Sequence, residues 1–325
     1  MPVTAPLDTD GFVVSATFLG DVAAFASGEG SVFFAGGPET QTPVHKNGLL
    51  CATPSLDGKS LITGGGDGKI CKVSADGSVE ELAEQPRKWI DIIAAGPQDS
   101  VAFASGRTAW VRLKTGEIKE FQLPRAFAGL AFAPKGMRLA ASRYDGVTLF
   151  WVNAAGDPQE LSWKGAHGHV TYSPDGKYLV TTMQENALHG WRLADSQDMR
   201  MTGYPAKVKS VSWSAKGKYL ATSGAQAAIL WPFMGKSGPM GQAPLELGVR
   251  GDSMVTTVCC HPQEEMLAIG YQDGMVMAVR FSDNAEVLLR RPGAGPVSAL
   301  AWDKKGDRLA FGTEEGAAGV ITLLD

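Results

Sequence analysis

A ring of four-stranded antiparallel blades, an all-β fold of the β-propeller type, follows from three features of the sequence. The first is a six-residue pattern, apolar-x-x-apolar-x-apolar, that recurs along the chain. Its first positions are Val13, Leu49, Trp89, Phe127, His167, Val208, Val255 and Val297, at spacings of 36, 40, 38, 40, 41, 47 and 42 residues. A fixed period of this size marks a repeat architecture. The second feature is the content of each unit: short apolar runs joined by Gly-containing turns, with no segment at the helical period. The third is 40 glycines in 325 residues, about 12% against a usual ~7%. So many glycines imply many tight turns.

Within a unit the elements come in a regular order. The first strand ends on the third apolar position, which is Phe18, Pro54, Ala94, Phe132, Tyr172, Trp213, Cys260 and Trp302 in turn. A turn follows, clearest at Ser173-Pro174-Asp175-Gly176-Lys177 and Ser214-Ala215-Lys216-Gly217-Lys218, where Gly supplies positive φ and Asp or Ser binds its own backbone. The second strand is a short apolar run, at 59–63, 138–142, 178–182, 219–223, 266–270 and 308–312. A second Gly-containing turn leads into a third strand, as in Asp145-Gly146-Val147-Thr148-Leu149-Phe150-Trp151. Eight units of this length predict eight blades in one domain covering residues 1–325. Seven blades is the alternative, should unit one or unit three, the poorest matches, not stand alone. Unit eight reaches its third strand at 320–324, so its outer strand is expected from residues 3–7. Pro6 is tolerable there because an outermost strand keeps one edge unpaired.

Composition narrows the function classes. Thirty Lys and Arg against 34 Asp and Glu give a net charge of −4, which lacks the basic field of a dedicated nucleic-acid binder. The first basic residue is Lys46, so no positive leader region precedes an apolar stretch. Residues 12–34 are apolar but interrupted by Asp21, Glu29 and glycines, and no run approaches the ~20 residues of a membrane span. Four cysteines do not make a disulfide framework. A cytoplasmic protein is the default expectation, with no membrane contact.

Catalytic constellations are sparse. Gly64-Gly65-Gly66-Asp67-Gly68-Lys69 looks like a phosphate loop but lacks the Ser or Thr after Lys and joins two strands, so it reads as a turn. In Cys259-Cys260-His261 alternate side chains leave a strand on opposite faces, which gives two ligands where zinc needs at least three. Cys51 and Cys71 read as reduced packing residues, and His167, on an apolar position of the repeat, as a hydrogen-bonded core or channel histidine. No cofactor, metal or enzymatic activity is expected.

The units resemble WD repeats. The resemblance rests on the Ser-Pro-Asp-Gly turn at 173–176 and the Asp-Gly turns at Asp67-Gly68, Asp145-Gly146 and Asp273-Gly274. Tryptophans six residues after the turn acid, Trp151 and Trp191, complete it. It covers essentially the whole chain and implies a non-catalytic scaffold for protein partners. It also implies a hydrogen-bonded tetrad of His, Ser or Thr, Asp and Trp within a blade. Unit two carries His45, Thr63 and Asp67, with Val73 at the Trp position. Unit five carries Thr181, Glu185 and Trp191, with Trp163 at the His position. Unit four carries Asp145 and Trp151, with Ala141 and Leu123 at the other two. No unit is complete, so a divergent member held mainly by apolar packing is expected.

In such units the connections entering first strands and the turns between second and third strands share one rim. Units three to six place Arg87, Lys88, Arg107, Arg125, Arg143, Tyr144, Lys164, Tyr204 and Lys207 there. Units seven, eight, one and two place Asp252, Asp273, Glu314, Glu315, Glu29 and Asp67 there, with Arg250 and Lys46 as exceptions. The basic half is expected to dock an acidic peptide or the acidic surface of another protein. Nucleic acid on the same residues would bind weakly beside an acidic half-rim. The insertion at 232–241 is expected as an exposed loop on the opposite face, offering Phe233, Met234 and Met240 to a partner. The alternative is an enzyme or small-ligand binder using the central channel, which would need several carboxylates or histidines on the innermost strands.

Overall fold

The computed structural model describes residues 3–38, 40–154 and 156–323. Short strands and tight turns account for nearly all of it. Unit one shows the common plan: strands Val13–Leu19, Val22–Ser27, Ser31–Ala35 and Gln41–Pro43 pair antiparallel in chain order. The turn of unit five shows how sequence closes such a hairpin. Ser173 Oγ donates to Asp175 Oδ1 (2.7 Å) and accepts the Tyr178 amide (2.9 Å), while Asp175 Oδ1 accepts the Lys177 amide (3.1 Å). Gly176 supplies the left-handed residue at φ +73°.

Sheets rather than units set the first correction. The described residues form seven hydrogen-bonded sheets, six of four strands and one of six, which matches the seven-blade alternative and not the favoured eight blades. Units one and three, the suspected weak members, each form a sheet of their own. Units four and five are the ones that merge. Strands Arg138–Trp151 and Gln159–Tyr172 are 14 residues long and run through the rim without a break, so Tyr144 pairs with Ala166 across the two units. All eight units still contribute an inner strand to the ring. Eight buried apolar clusters tie them together, each drawn from two successive units, and one joins unit eight to unit one through Val13, Phe25, Ala299 and Ala310.

Closure is as the sequence suggests. Strand Val3–Asp8 pairs antiparallel with Ala317–Thr322, from Val3 opposite Thr322 to Asp8 opposite Ala317. The third strand of unit eight ends at Thr322 rather than at 324; Leu324 and Asp325 lie outside the described residues.

Two registers slip by one residue, and each slip reverses which face a side chain meets. In unit four the Val152 amide donates to Met137 O as the Leu193 amide donates to Lys177 O in unit five. Phe150 therefore takes the place that Trp191 holds, because the turn is one residue shorter. Trp151 points outward, 49% exposed, with the Arg138 guanidinium 4.8 Å over its ring. In unit three the buried apolar residue is Ile90 and not Trp89, which is 72% exposed.

The insertion after strand Ala228–Pro232 is only partly free. Phe233 is buried edge-on against Tyr178 and Trp213, with centroids 5.2 and 4.8 Å away, so it staples unit six to unit five and is not a docking side chain. The Tyr178 hydroxyl donates to Gly235 O (3.1 Å) and Arg192 Nη1 to Lys236 O (2.6 Å). Met234 and Met240 remain exposed.

A chain lacking residues 1–8 would make strand Ala317–Thr322 the edge of the last sheet and strip Leu7 from the cluster that joins units eight and one. Its melting midpoint should fall by at least about 5 °C, with oligomers appearing on size exclusion. An unchanged monomer with unchanged melting would contradict the closure.

Candidate rim interface

Three buried polar clusters, each different in chemistry, fix the rim turns of units two, five and six. In unit two, His45 Nδ1 lies 3.0 Å from Asp67 Oδ1 and Nε2 lies 2.9 Å from Thr63 Oγ1. Asp67 also accepts the amides of Lys46 (3.2 Å) and Lys69 (3.1 Å). Burial alone would raise the Asp67 carboxyl, but the Lys69 amide and His45 hold it below its ordinary value. Val73, at the Trp position, is fully buried.

Unit five solves the same problem with another histidine. His167 Nε2–H donates to Trp163 O (3.0 Å), which leaves Nδ1 to accept the Thr181 hydroxyl (2.7 Å). Glu185 accepts the Ala166 amide (3.3 Å). Trp163 does not hydrogen-bond in the His place; its ring stacks on His189 at 4.1 Å. His189 is fully buried beside Trp191, and neither ring nitrogen has a hydrogen-bond partner. Burial drives its pKa down to about 3. In unit four, Asp145, at φ +68°, keeps one contact, accepting the Gly165 amide (3.3 Å), and Trp151 takes no part.

Unit six holds a cluster that the sequence reading missed. Trp231 Nε1 donates to the Tyr204 hydroxyl (2.6 Å), which donates to Thr222 Oγ1 (2.6 Å), which donates to Ile229 O (3.1 Å). Tyr204 is buried, so it is corrected from rim contact to structural residue. Its spacing is the signal: Tyr204 precedes Val208 by four residues as His45 precedes Leu49, and Thr222 and Thr63 each follow those positions by 14.

On this frame the basic residues divide. Arg87, Lys88, Arg107, Arg125, Lys164 and Lys207 are exposed, and none has an ion-pair or side-chain hydrogen-bond partner among the described residues. Arg143 is different and is corrected as a free contact: its guanidinium pairs with Glu160 and donates to Thr148 Oγ1 (3.1 Å) and Tyr144 O (2.9 Å). Tyr144 stays 47% exposed, with the Arg125 guanidinium 5.9 Å from its ring centre. Across the ring, Glu29, Glu314 and Glu315 are exposed, whereas Asp273 and Asp252 hold Arg250 at 2.8 and 3.2 Å.

The channel offers little convergent chemistry. Asp91, His169 and Lys209 are exposed on or beside the inner strands, and crowding by the surrounding chain lowers the His169 pKa with no carboxylate acting on it. Both His261 nitrogens are engaged by backbone: Nδ1 accepts the amides of Gln263 and Glu264 (3.2 and 3.0 Å), and Nε2 lies 3.2 Å from Gly306 O. Burial pushes the Cys51 and Cys260 thiols up to about 12 and those of Cys71 and Cys259 to about 11. The run 64–69 joins strands Ser60–Gly65 and Lys69–Ser74, as a turn.

Removing the Tyr204 hydroxyl in Tyr204→Phe leaves the Trp231 N–H and the Thr222 hydroxyl short of a buried partner, which should cost about 1–3 kcal/mol in chemical denaturation. No loss would contradict the chain of bonds. His189 sets a pH dependence. Its folded pKa lies below the ordinary 6.5, so the unfolded chain binds the proton first. This contribution is therefore complete above pH 6.5 and is lost as pH falls towards about 3. The loss approaches about 1.4 kcal/mol per pH unit. His189→Leu should lose stability less steeply between pH 6.5 and 5 than the parent; equal slopes would show that His189 does not titrate this way.

No protein-family model matches the chain. It is 25% identical over 199 residues to WD repeat-containing protein 55 of Mus musculus, an alignment covering 58% of this chain and 49% of that protein. The Rattus norvegicus protein of the same name matches at 25% over 199 residues, covering 50% of its length. The chain thus spans about half the length of the curated relatives it matches. Among solved structures, the computationally designed Ika8 protein superposes with a TM-score of 0.79 at 15% identity, over 97% of this chain and 98% of that one. The RRP9 WD40 repeats superpose with a TM-score of 0.64 at 16% identity, over 85% and 94%. Repeat register and ring architecture agree with these likenesses: the fold is a β-propeller, and its units are weakly similar to WD repeats.

Proposed function

We propose that the chain is a non-catalytic scaffold that docks an acidic segment of another protein on the basic half of its rim. The supporting observation is the set of exposed cations with no ion-pair or side-chain hydrogen-bond partner among the described residues, Arg87, Lys88, Arg107, Arg125, Lys164 and Lys207, carried on the connections and the long strand of this part of the rim. A free cation loses little side-chain pairing when an acidic partner arrives, and its field speeds the encounter. The exposed Tyr144 adds a residue type enriched at interface cores. The thiols are pushed up, the buried histidines are hydrogen-bonded or stacked, and the inner strands bring no set of carboxylates together, so the geometry favours docking over the channel-enzyme alternative. A cytoplasmic location remains part of this proposal.

The test is binding of a labelled peptide of alternating Glu and Asp, read by fluorescence anisotropy. Arg87→Glu, Lys88→Glu and Arg125→Glu combined should weaken it by at least about tenfold. Raising salt should weaken the parent in the same direction. Arg143→Glu is excluded from the set because it would break the Glu160 pair. Equal affinity of parent and reversed-charge protein would remove the basic half-rim as the site.

A further inference from the structure

We infer that Trp89 is the apolar anchor of this rim, and that the segment it docks is an acidic peptide carrying a large apolar side chain between its acidic residues. The inference rests on the docking proposed above and adds to it the chemistry of the partner.

Three observations carry it. First, Trp89 is 72% exposed, more than any other large hydrophobic side chain among the described residues. Trp151 has the Arg138 guanidinium 4.8 Å over its ring, and Tyr144 has that of Arg125 at 5.9 Å. The Trp89 indole has no stacking or cation–π partner among the described residues.

Second, the turn that carries it is built to stay in place. The Gln85 amide donates to Gly68 O (2.8 Å), the Lys88 amide to Gln85 O (3.1 Å) and the Ile90 amide to Gly65 O (3.1 Å). Ile90 is fully buried one residue later, which anchors the backbone that carries the indole. Arg87 is held at φ +63°, a strained value for a side chain of this kind that persists only where surroundings impose it.

Third, the glycine run below the turn makes room for it. A Cβ on Gly68 would lie 2.3 Å from Gln85 O, and one on Gly64 would lie 2.7 Å from the Ile90 side chain. Gly64 and Gly68 are thus the seat of the neighbouring turn. The Asp67 bonds to His45 and to the Lys46 and Lys69 amides keep that seat rigid.

A bare indole on a backbone held in place, preceded by Arg87 and Lys88, has only two side-chain torsions to fix on binding and buries on the order of 200 Å² of ring. Arg87 and Lys88, which precede the indole in the turn, select acidic residues, and the ring selects the apolar residue next to them.

The experiment compares two labelled peptides, alternating Glu and Asp with one central Phe or with Ser in its place. Parent protein should bind the Phe peptide about 10–30-fold more tightly than the Ser peptide. Trp89→Ala should abolish that difference, leave the Ser peptide unchanged and leave the melting curve unchanged; Trp89→Phe should restore most of it. If Trp89→Ala binds both peptides as the parent does while the reversed-charge variant binds neither, the anchor is refuted and the docking site stands. If the Phe preference depends on Trp89 but charge reversal changes nothing, the anchor stands and the acidic partner is refuted. Equal binding of both peptides by the parent refutes the anchor outright.

Discussion

The packing of each sheet against its neighbours is the constraint from which the rest of this structure follows. A lone four-stranded sheet of this chain would expose an apolar face on both sides; the eight buried clusters exist only because each is shared by two successive units. Stability of this kind is cooperative around a circle, and it requires that the last unit meet the first. The pairing of Val3–Asp8 with Ala317–Thr322 does that with the two parts of the chain farthest apart in sequence. Divergence in the polar positions is tolerable because the apolar ring carries the load.

The polar clusters have a narrower task. Each ties the connection entering an inner strand to the second strand of the same unit, through His45 and Thr63, through His167 and Thr181, or through Tyr204 and Thr222. Three donor–acceptor solutions serve one geometric need, so the residue types drift while the spacing stays. The consequence is felt at the rim, where turns that would otherwise fray present their side chains in fixed positions.

Much of this was legible in the sequence, and the misses have physical causes. Periodicity reveals which residues are inner strands because burial repeats with the unit, and turn chemistry reveals the hairpins because Gly and Asp are needed there. Periodicity does not reveal a hydrogen bond between units, so the pairing of Tyr144 with Ala166 that fuses two sheets was invisible. A turn one residue shorter put Phe150 where Trp151 was expected, since faces alternate along a strand. Trp89 and Ile90 exchanged roles for the same reason. Tyr204 was read by its residue type, as an interface aromatic, when its position in the unit marked it as a stand-in for the histidine. Phe233 lay in a Gly- and Pro-rich insertion, and composition said loop; only the proximity of Tyr178 and Trp213 shows that it is buried.

Both halves of the rim carry charges used within the fold and charges, such as Glu29, Glu314 and Glu315 or Arg87, Lys88 and Arg107, that are exposed and unpaired among the described residues. Arg250 is held by Asp273 and Asp252, Asp67 is spent on His45 and two amides, and Arg143 is spent on Glu160. These are ions at work within the fold, and charge counting along the sequence cannot separate them from the rest. What remains over units three to five is a group of cations without ion pairs among the described residues, on the same rim as the exposed rings of Trp89 and Tyr144. A surface of fixed shape with unspent charge has its interaction energy available to something outside the chain. The same ring that makes the protein stable therefore also makes this one arc of it ready to bind.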